Sequence, residues 1–386
     1  MASNTSPPYT LTPSELKKRA NLTDLIDNYV EPYLRRNPRA RSAVNALFPR
    51  NETSGDMTDS NLNHSQNPKW DHLAFRSFDC VDGGLDAVAC VFQKHGYTYQ
   101  GSLSFKAKKV EAKWFAPPSE QWAKDLQSGE NIFPRLFVSH VEVGQLSTEA
   151  QLVIKKRQAY CDAQDEVAGV QGVRKTFVAS TGGVPWILPA TDASKTFIET
   201  NEISISEYET LSNESEYAAW TLINGHALNH VAIAVHGLFS HDMKESEDLE
   251  SRASTSRIDT HTRRFTTLED AVAFLQKSPH DLPMSTAGGT EVKVSPDGLL
   301  RQASTVADEF EFQFRINPAI EIQSHQGETV TKKVPSCYVE FVERLPIDET
   351  LQSENGFIPE NKRRDGFETA NADAIFESTF SEQRER

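Results

Sequence analysis

The chain has 386 residues, is 38% hydrophobic and 25% charged, and carries a formal net charge of −15. That length buries a large core and admits two or three domains, while the acidic balance leaves no basic excess for nucleic acid as the main partner. No apolar run of about 18 residues is present to cross a membrane, and an anionic small substrate stays open because one buried arginine can dominate its surroundings.

The N-terminus, MASNTSPPYTLTPSELKKR, lacks the apolar core of a signal peptide. A cytoplasmic protein is the default expectation, with organellar import left open. Thr12-Pro13-Ser14-Glu15 has the capping threonine, first-turn proline and acidic third position of a helix start. Helical packing is expected up to Pro32, and the polar stretch 50–67 reads as a loop, so residues 1–67 form a helical N-terminal segment and loop.

A first module follows over 68–145. WDHLAFRSF, residues 70–78, alternates as a half-buried strand does, which puts His72, Ala74, Arg76 and Phe78 on one face. GGLDAVACVFQKHGY has helical spacing at Leu85, Val88, Ala89, Val91 and Phe92, with Gly96 as a stop. YTYQGSLSF, KVEAKWFAP and RLFVSHVEV then read as three strands. Residues 146–225 form a middle insert, with a helix in STEAQLVIKKRQAYC and a glycine-rich turn in STGGVPW.

A second module spans 226–345. LNHVAIAVHG is an apolar strand with His230 near its start, and the polar stretch 243–264 reads as a loop. TTLEDAVAFLQKS is helical, and EVKVSP, LLRQASTVA, FEFQF and SCYVEFVER read as strands. EDAVAFLQK matches LDAVACVFQK, and NHVAIA at 229–234 matches DHLAFR at 71–76. The shared order and the repeated histidine read as an internal duplication. The tail, 346–386, is polar but keeps aromatic anchors with which to fold back over the core.

The cysteines, Cys80, Cys90, Cys161 and Cys337, form no CxxC pair and are expected to be buried free thiols in a reducing compartment. His72 and His230 begin equivalent strands, and Glu340 shares a face of CYVEFVER with Tyr338, Val342 and Arg344. A carboxylate in mid-strand is costly to bury unless it is paired or metal-bound. Two neutral imidazoles and a carboxylate make the facial set that suits non-haem Fe(II). Singly, each histidine also reads as a hydrogen-bonded strand-end residue, and Glu340 as a solvent-facing position.

Other arrangements are weaker. His226 and His230 would share a helical face, but HALNH lacks the glutamate of HExxH and VAIAV reads as strand. His236 and His241 flank a turn, and Glu343 with Arg344 is expected to form a surface ion pair. GxGxxG and GxxxxGK[ST] are absent, and GSLSF is not a GxSxG elbow. Arg76 lies about 13 Å along the strand from His72. It is long enough to lean back and hold one carboxylate of a small anion in its planar fork; the rival reading pairs it with a core acid.

The strings HLAFR, AKKVEAKWFAPP, PRLFVS, SPDGLLRQASTVAD, YVEFVERL and RRDGFETANADAIFEST resemble the 2-oxoadipate dioxygenase/decarboxylase family, over about residues 70–380. The resemblance implies membership of the vicinal-oxygen-chelate superfamily. The expected fold is α+β: duplicated βαβββ modules forming a half-open barrel around a metal, with a helical N-terminal segment and a middle insert. It implies Fe(II) held by His72, His230 and Glu340, and substrate held by Arg76. YVEFVER also resembles the ligand strand of 4-hydroxyphenylpyruvate dioxygenase, which favours Glu340 over Glu343. The implied reaction turns 2-oxoadipate and O2 into (R)-2-hydroxyglutarate and CO2 in lysine breakdown. Partners beyond substrate and O2 are not expected, neither nucleic acid nor membrane. Ala234 stands where the first module has Arg76, and the 240–264 loop has no counterpart. Gln302 and Ser304 are expected to hydrogen-bond the substrate if their strand lines the cavity. A non-oxidative zinc, nickel or manganese isomerase or lyase of the same superfamily, and a non-catalytic small-ligand-binding protein, are the rival readings.

Overall fold

The structure, a computed structural model, describes residues 10–48, 68–80, 84–125, 130–168 (side chains to 158), 203–238, 265–316, 328–348, 351 and 358–384. The loops at 50–67 and 243–264, the STGGVPW turn, His241 and the side chain of Cys161 lie outside the described residues.

The helices are α1 (Pro13–Arg36), α2 (Pro38–Leu47), α3 (Gly84–Gln93), α4 (Thr148–Ala168), α5 (Ile205–Glu214), α6 (Glu216–Asn224), α7 (Leu268–Gln276), α8 (Thr369–Phe376) and α9 (Ser381–Arg384). The strands are β1 (Trp70–Phe78), β2 (Thr98–Phe105), β3 (Val110–Ala116), β4 (Arg135–Val141), β5 (Leu228–Ala234), β6 (Lys293–Val294), β7 (Leu300–Ser304), β8 (Glu309–Arg315), β9 (Thr329–Pro335) and β10 (Tyr338–Arg344).

Eight strands form one sheet in the order β2-β3-β4-β1-β5-β10-β7-β6, curled into a half-open barrel. Each half runs outward from the β1–β5 seam as first strand, last strand, then the two between. β1 is parallel to β4, β5 is parallel to β10, and β1 and β5 meet antiparallel. A helix follows the first strand of each half, α3 after β1 and α7 after β5. The duplicated element order therefore closes into one sheet with approximate twofold symmetry, and the two histidine strands are neighbours.

Alternation sorts the sheet into two faces. Leu73, Phe75, Val231, Ile233, Val339 and Phe341 enter one apolar core with Leu22, Ile26, Tyr29 and Tyr33 of α1, and with residues of α2, α3 and α7. Each such side chain contributes about 1.5–3 kcal/mol on burial. Ala74, Phe78, Phe137 and Val141 face the other way, into a second core with α5, α6 and Phe376 of α8.

Two expectations differ in detail. α1 runs through Pro32 to Arg36, because the buried stripe continues across the proline and the Tyr33 hydroxyl donates to the Tyr338 carbonyl. FEFQF leaves the main sheet: β8 forms a separate two-stranded sheet with β9, which buries Phe312 and Phe314 with Tyr208 of α5.

Candidate metal centre

The seam register determines which side chains converge. His72 lies opposite Ala232, His230 lies opposite Ala74, and Glu340 of β10 lies beside Ala232. The two alanines carry only a methyl group, so the longer side chains around them meet over the sheet. His72 Nε2 is 3.3 Å from His230 Nε2 and 3.4 Å from Glu340 Oε2. His230 Nε2 is 3.2 Å from the same oxygen, and all three residues are buried. Donor atoms bound at about 2.0–2.2 Å from one metal ion sit about 3 Å apart. The spacing and the donor set therefore fit a metal; among the described residues, this is the one His/Cys/Asp/Glu group found with that spacing.

The second ring nitrogens are occupied. His72 Nδ1 donates to Asp71 Oδ1 at 2.9 Å, and His230 Nδ1 donates to Asn229 Oδ1 at 3.0 Å. Each bond selects the tautomer that leaves Nε2 free as a ligand. Asp71 also accepts from Arg344 Nε at 2.6 Å, from a terminal nitrogen of Arg344 at 2.9 Å, and from Arg135 at 3.3 Å. Burial opposes the Asp71 charge, yet Arg344 and Arg135 hold its carboxyl well below the usual range. Arg344 thus ties the Glu340 strand to the His72 strand across the seam.

Burial would also raise the Glu340 carboxyl, but the His72 and His230 imidazoles pull it down to about 2. His72 is held above its ordinary value despite burial, chiefly by Glu340 and then by Asp71. Burial drives His230 down to about 4. At neutral pH the site therefore presents an ionised carboxylate at Glu340 and a neutral imidazole at His230, while the carboxylates beside His72 favour its protonated form.

A small pocket opens on these donors, with Gln302 beside them and Phe137, Phe367, Ala372, Ile375 and Phe376 as apolar walls. Phe367 meets the His72 ring edge-on at 4.9 Å, and Tyr338 stacks on His230 at 4.6 Å. Much of this wall belongs to the C-terminal segment.

Arg76 is 1% exposed and is not part of that lining. It donates to the Thr379 hydroxyl at 3.1 Å and to the Phe376 carbonyl at 3.0 Å, and its guanidinium lies over the rings of Tyr217, Trp220 and Phe376. Its Nε has no hydrogen-bond partner, and no carboxylate pairs with it among the described residues. Burial lowers its pKa. Gln302 donates to Glu340 Oε1 at 2.6 Å, and the Ser304 hydroxyl shares a hydrogen bond with Ser378 at 2.8 Å.

Several secondary expectations are corrected. Glu343 and Arg344 do not form a surface ion pair: both are buried on opposite faces of β10, where Glu343 accepts from the Leu268 backbone N–H at the start of α7 and Arg344 pairs with Asp71. Cys80 and Cys90 are free but exposed, and Cys337 is free and buried. His226 lies in the turn before β5, buried and held at about pKa 4 by desolvation. His236 is buried against Glu360. Sequence reasoning gives no role to Asp71, Asn229 or Asn371, and places Arg344 in a surface pair rather than against Asp71. The signal for the first two was present, since each histidine follows an Asp or Asn in the repeated unit.

Residues 25–347 match the 2-oxoadipate dioxygenase/decarboxylase family. A chloroplastic 2-oxoadipate dioxygenase/decarboxylase of Arabidopsis thaliana is 36% identical over 354 residues, which is 92% of this chain and 76% of that protein. The crystal structure of hydroxyglutarate synthase from Oryza sativa in complex with 2-oxoadipate is similar at 29% identity, with a TM-score of 0.69, over 100% of this chain and 99% of that one. A protein assigned to the glyoxalase superfamily from Ralstonia eutropha shares the fold at 17% identity and a TM-score of 0.52, over 89% of this chain and 88% of that one. No helix among the described residues is long and apolar enough to cross a membrane.

Proposed function

Because this chain belongs to the 2-oxoadipate dioxygenase/decarboxylase family, we propose that it is an Fe(II)-dependent enzyme converting 2-oxoadipate and O2 to (R)-2-hydroxyglutarate and CO2, in lysine catabolism. The observation that carries this reading is the convergence of His72, His230 and Glu340 from both modules on one buried point. The bond between C1 and C2 of the oxo acid breaks, C1 leaves as CO2, one oxygen atom completes the new carboxylate and the other becomes the hydroxyl. Iron held there supplies the redox chemistry with oxygen and an open place for a 2-oxo acid.

The protein's own contribution is geometry, charge and dryness. Asp71 and Asn229 hold the imidazoles with Nε2 forward. Glu340 stays ionised, and the aromatic walls keep bulk water from the reacting carbons. Arg76 is a buried cation without a counter-ion, an arrangement that costs free energy until an anion arrives. We assign it the substrate carboxylate. Binding there requires the carboxylate to replace or join the Phe376 carbonyl and the Thr379 hydroxyl, so the C-terminal segment must adjust. Gln302 lines the pocket but is already bonded to Glu340, so a substrate contact falls to it only secondarily. A reducing compartment, cytoplasm or plastid, suits the free thiols of Cys80, Cys90 and Cys337.

The test is oxygen uptake by the Fe(II)-loaded protein with 2-oxoadipate, 2-oxoglutarate and 4-hydroxyphenylpyruvate in parallel. Uptake with 2-oxoadipate and an equal amount of CO2 is the expected result. No uptake with any of them, despite bound iron, would sink the dioxygenase reading and leave a non-oxidative isomerase or lyase.

A further inference from the structure

Glu340 divides its two oxygens. Oε2 faces both imidazoles, at 3.4 and 3.2 Å, while Oε1 accepts from Gln302 Nε2 at 2.6 Å. A primary amide can offer either its NH2 or its oxygen, and the oxygen would repel the carboxylate. Something must therefore keep the Gln302 amide turned the right way.

We infer that Asn371, on α8, is the positioning residue that fixes the Gln302 amide and thereby determines which oxygen of Glu340 faces the histidines; this rests on the metal-site reading above. Asn371 Nδ2 lies 3.5 Å from the backbone carbonyls of Lys293 and Leu300 and 3.0 Å from Gln302 Oε1. A carbonyl only accepts, so the two carbonyls oblige Asn371 to turn its NH2 towards them. The same NH2 then donates to Gln302 Oε1, which leaves the Gln302 NH2 for Glu340. Orientation passes from the backbone of β6 and β7, through two buried amides, to one oxygen of the carboxylate. Asn371 and Gln302 are each 3% exposed, so solvent offers no alternative partner. The neighbouring residues Ala372, Ile375 and Phe376 wall the pocket, so the segment that closes the site also orients its carboxylate.

The experiment measures Fe(II) affinity anaerobically, by chelator competition, without substrate. Asn371→Asp keeps the shape but presents acceptors to three acceptors, so Gln302 must turn over and face Glu340 with oxygen. Its affinity is expected to fall about 10- to 100-fold, the usual effect of disturbing a ligand's support. Asn371→Ala removes the donor without adding repulsion, and a smaller fall than in Asn371→Asp is expected. Gln302→Met is expected to match Asn371→Asp, and the double variant to be no worse than Gln302→Met alone; if Asn371→Asp fails to fold, Gln302→Met and Asn371→Ala still test the role, the first with the larger loss and the second with the smaller. Asp373→Asn loosens only the contact of the same helix with Lys108, at 2.7 Å, and should leave affinity unchanged. Equal losses in Asn371→Asp and Asn371→Ala, or no loss in either, would overturn the positioning role. A wild-type protein that takes up no Fe(II), or a His72→Ala variant that binds like wild type, would overturn the metal site itself.

Discussion

In the first module His72 is in register with Arg135 of β4, and Ala74 with Phe137; in the second, His230 is in register with Tyr338 of β10, and Ala232 with Glu340. Phe137 therefore occupies the place that Glu340 holds in the other half. The contrast repeats along the seam. Asp71 supports His72 with a charge that two arginines neutralise, whereas the neutral amide of Asn229 supports His230. Arg76 stands where the second module has Ala234. The duplicated backbone brings equivalent positions together, and divergence of the side chains at those positions provides the chemistry. A fully symmetric pair would offer four ligands and two arginines. This one offers three candidate ligands, one cation and an aromatic wall on the fourth side.

The largest expected effect comes from breaking the shared site in either half. His72→Ala, His230→Ala or Glu340→Ala should each weaken metal binding by at least about a thousandfold, read as metal retained after gel filtration. A fully bound His72→Ala variant would mean that the second module suffices alone.

Making the first support copy the second is the next test. Asp71→Asn leaves Arg344, which is fully buried, without its carboxylate. A loss of about 3–5 kcal/mol in stability is expected, measured by denaturant unfolding.

Arg76→Met makes the first module resemble the second at position 234 while keeping bulk in the core. The expected outcome is a fall in kcat/KM for 2-oxoadipate of about a hundredfold, near 3 kcal/mol, at unchanged iron content. Loss of iron instead would give Arg76 a structural role only.

The two histidines also respond oppositely to pH in the metal-free protein. His230 titrates at about 4, below its ordinary value, so the folded state binds fewer protons than the unfolded one between these limits. Its contribution is present above about 6.5 and is lost as pH falls towards its folded value. His72 is shifted upward, so its contribution is present below about 6.5 and is lost as pH rises through its folded value. His230→Asn should flatten the acid limb of the stability curve by on the order of 2–3 kcal/mol. An unchanged acid limb would show that His230 is not held neutral by burial.

The smallest effect expected is from restoring the missing ligand. Phe137→His places a fourth nitrogen donor at the equivalent register position. Metal should be held about tenfold more tightly, and turnover should fall, because the open side is taken. Unchanged affinity in a folded variant would separate register from function at this position.

Much of this arrangement was legible in the sequence because it is periodic. Alternation placed His72 with Arg76 and Glu340 with Tyr338, and the repeated element order predicted two modules of one kind. What escaped depends on contacts that no local pattern encodes. Arg344 reaches Asp71 only because the sheet order brings β10 and β1 to either side of β5. The departure of β8 from the sheet follows from its pairing with β9, and the partner of Gln302 comes from a helix far along the chain. Proline usually ends a helix, but at Pro32 tertiary burial of Tyr29 and Tyr33 outweighs the lost hydrogen bond.

The most direct test of a single site shared across the seam is the Fe(II) stoichiometry of the wild-type chain set beside those of His72→Ala and His230→Ala. The expected result is one tightly bound Fe(II) per wild-type chain and none in either variant. Two ions per chain, or one ion that survives the loss of either histidine, would contradict a centre built jointly by the two modules.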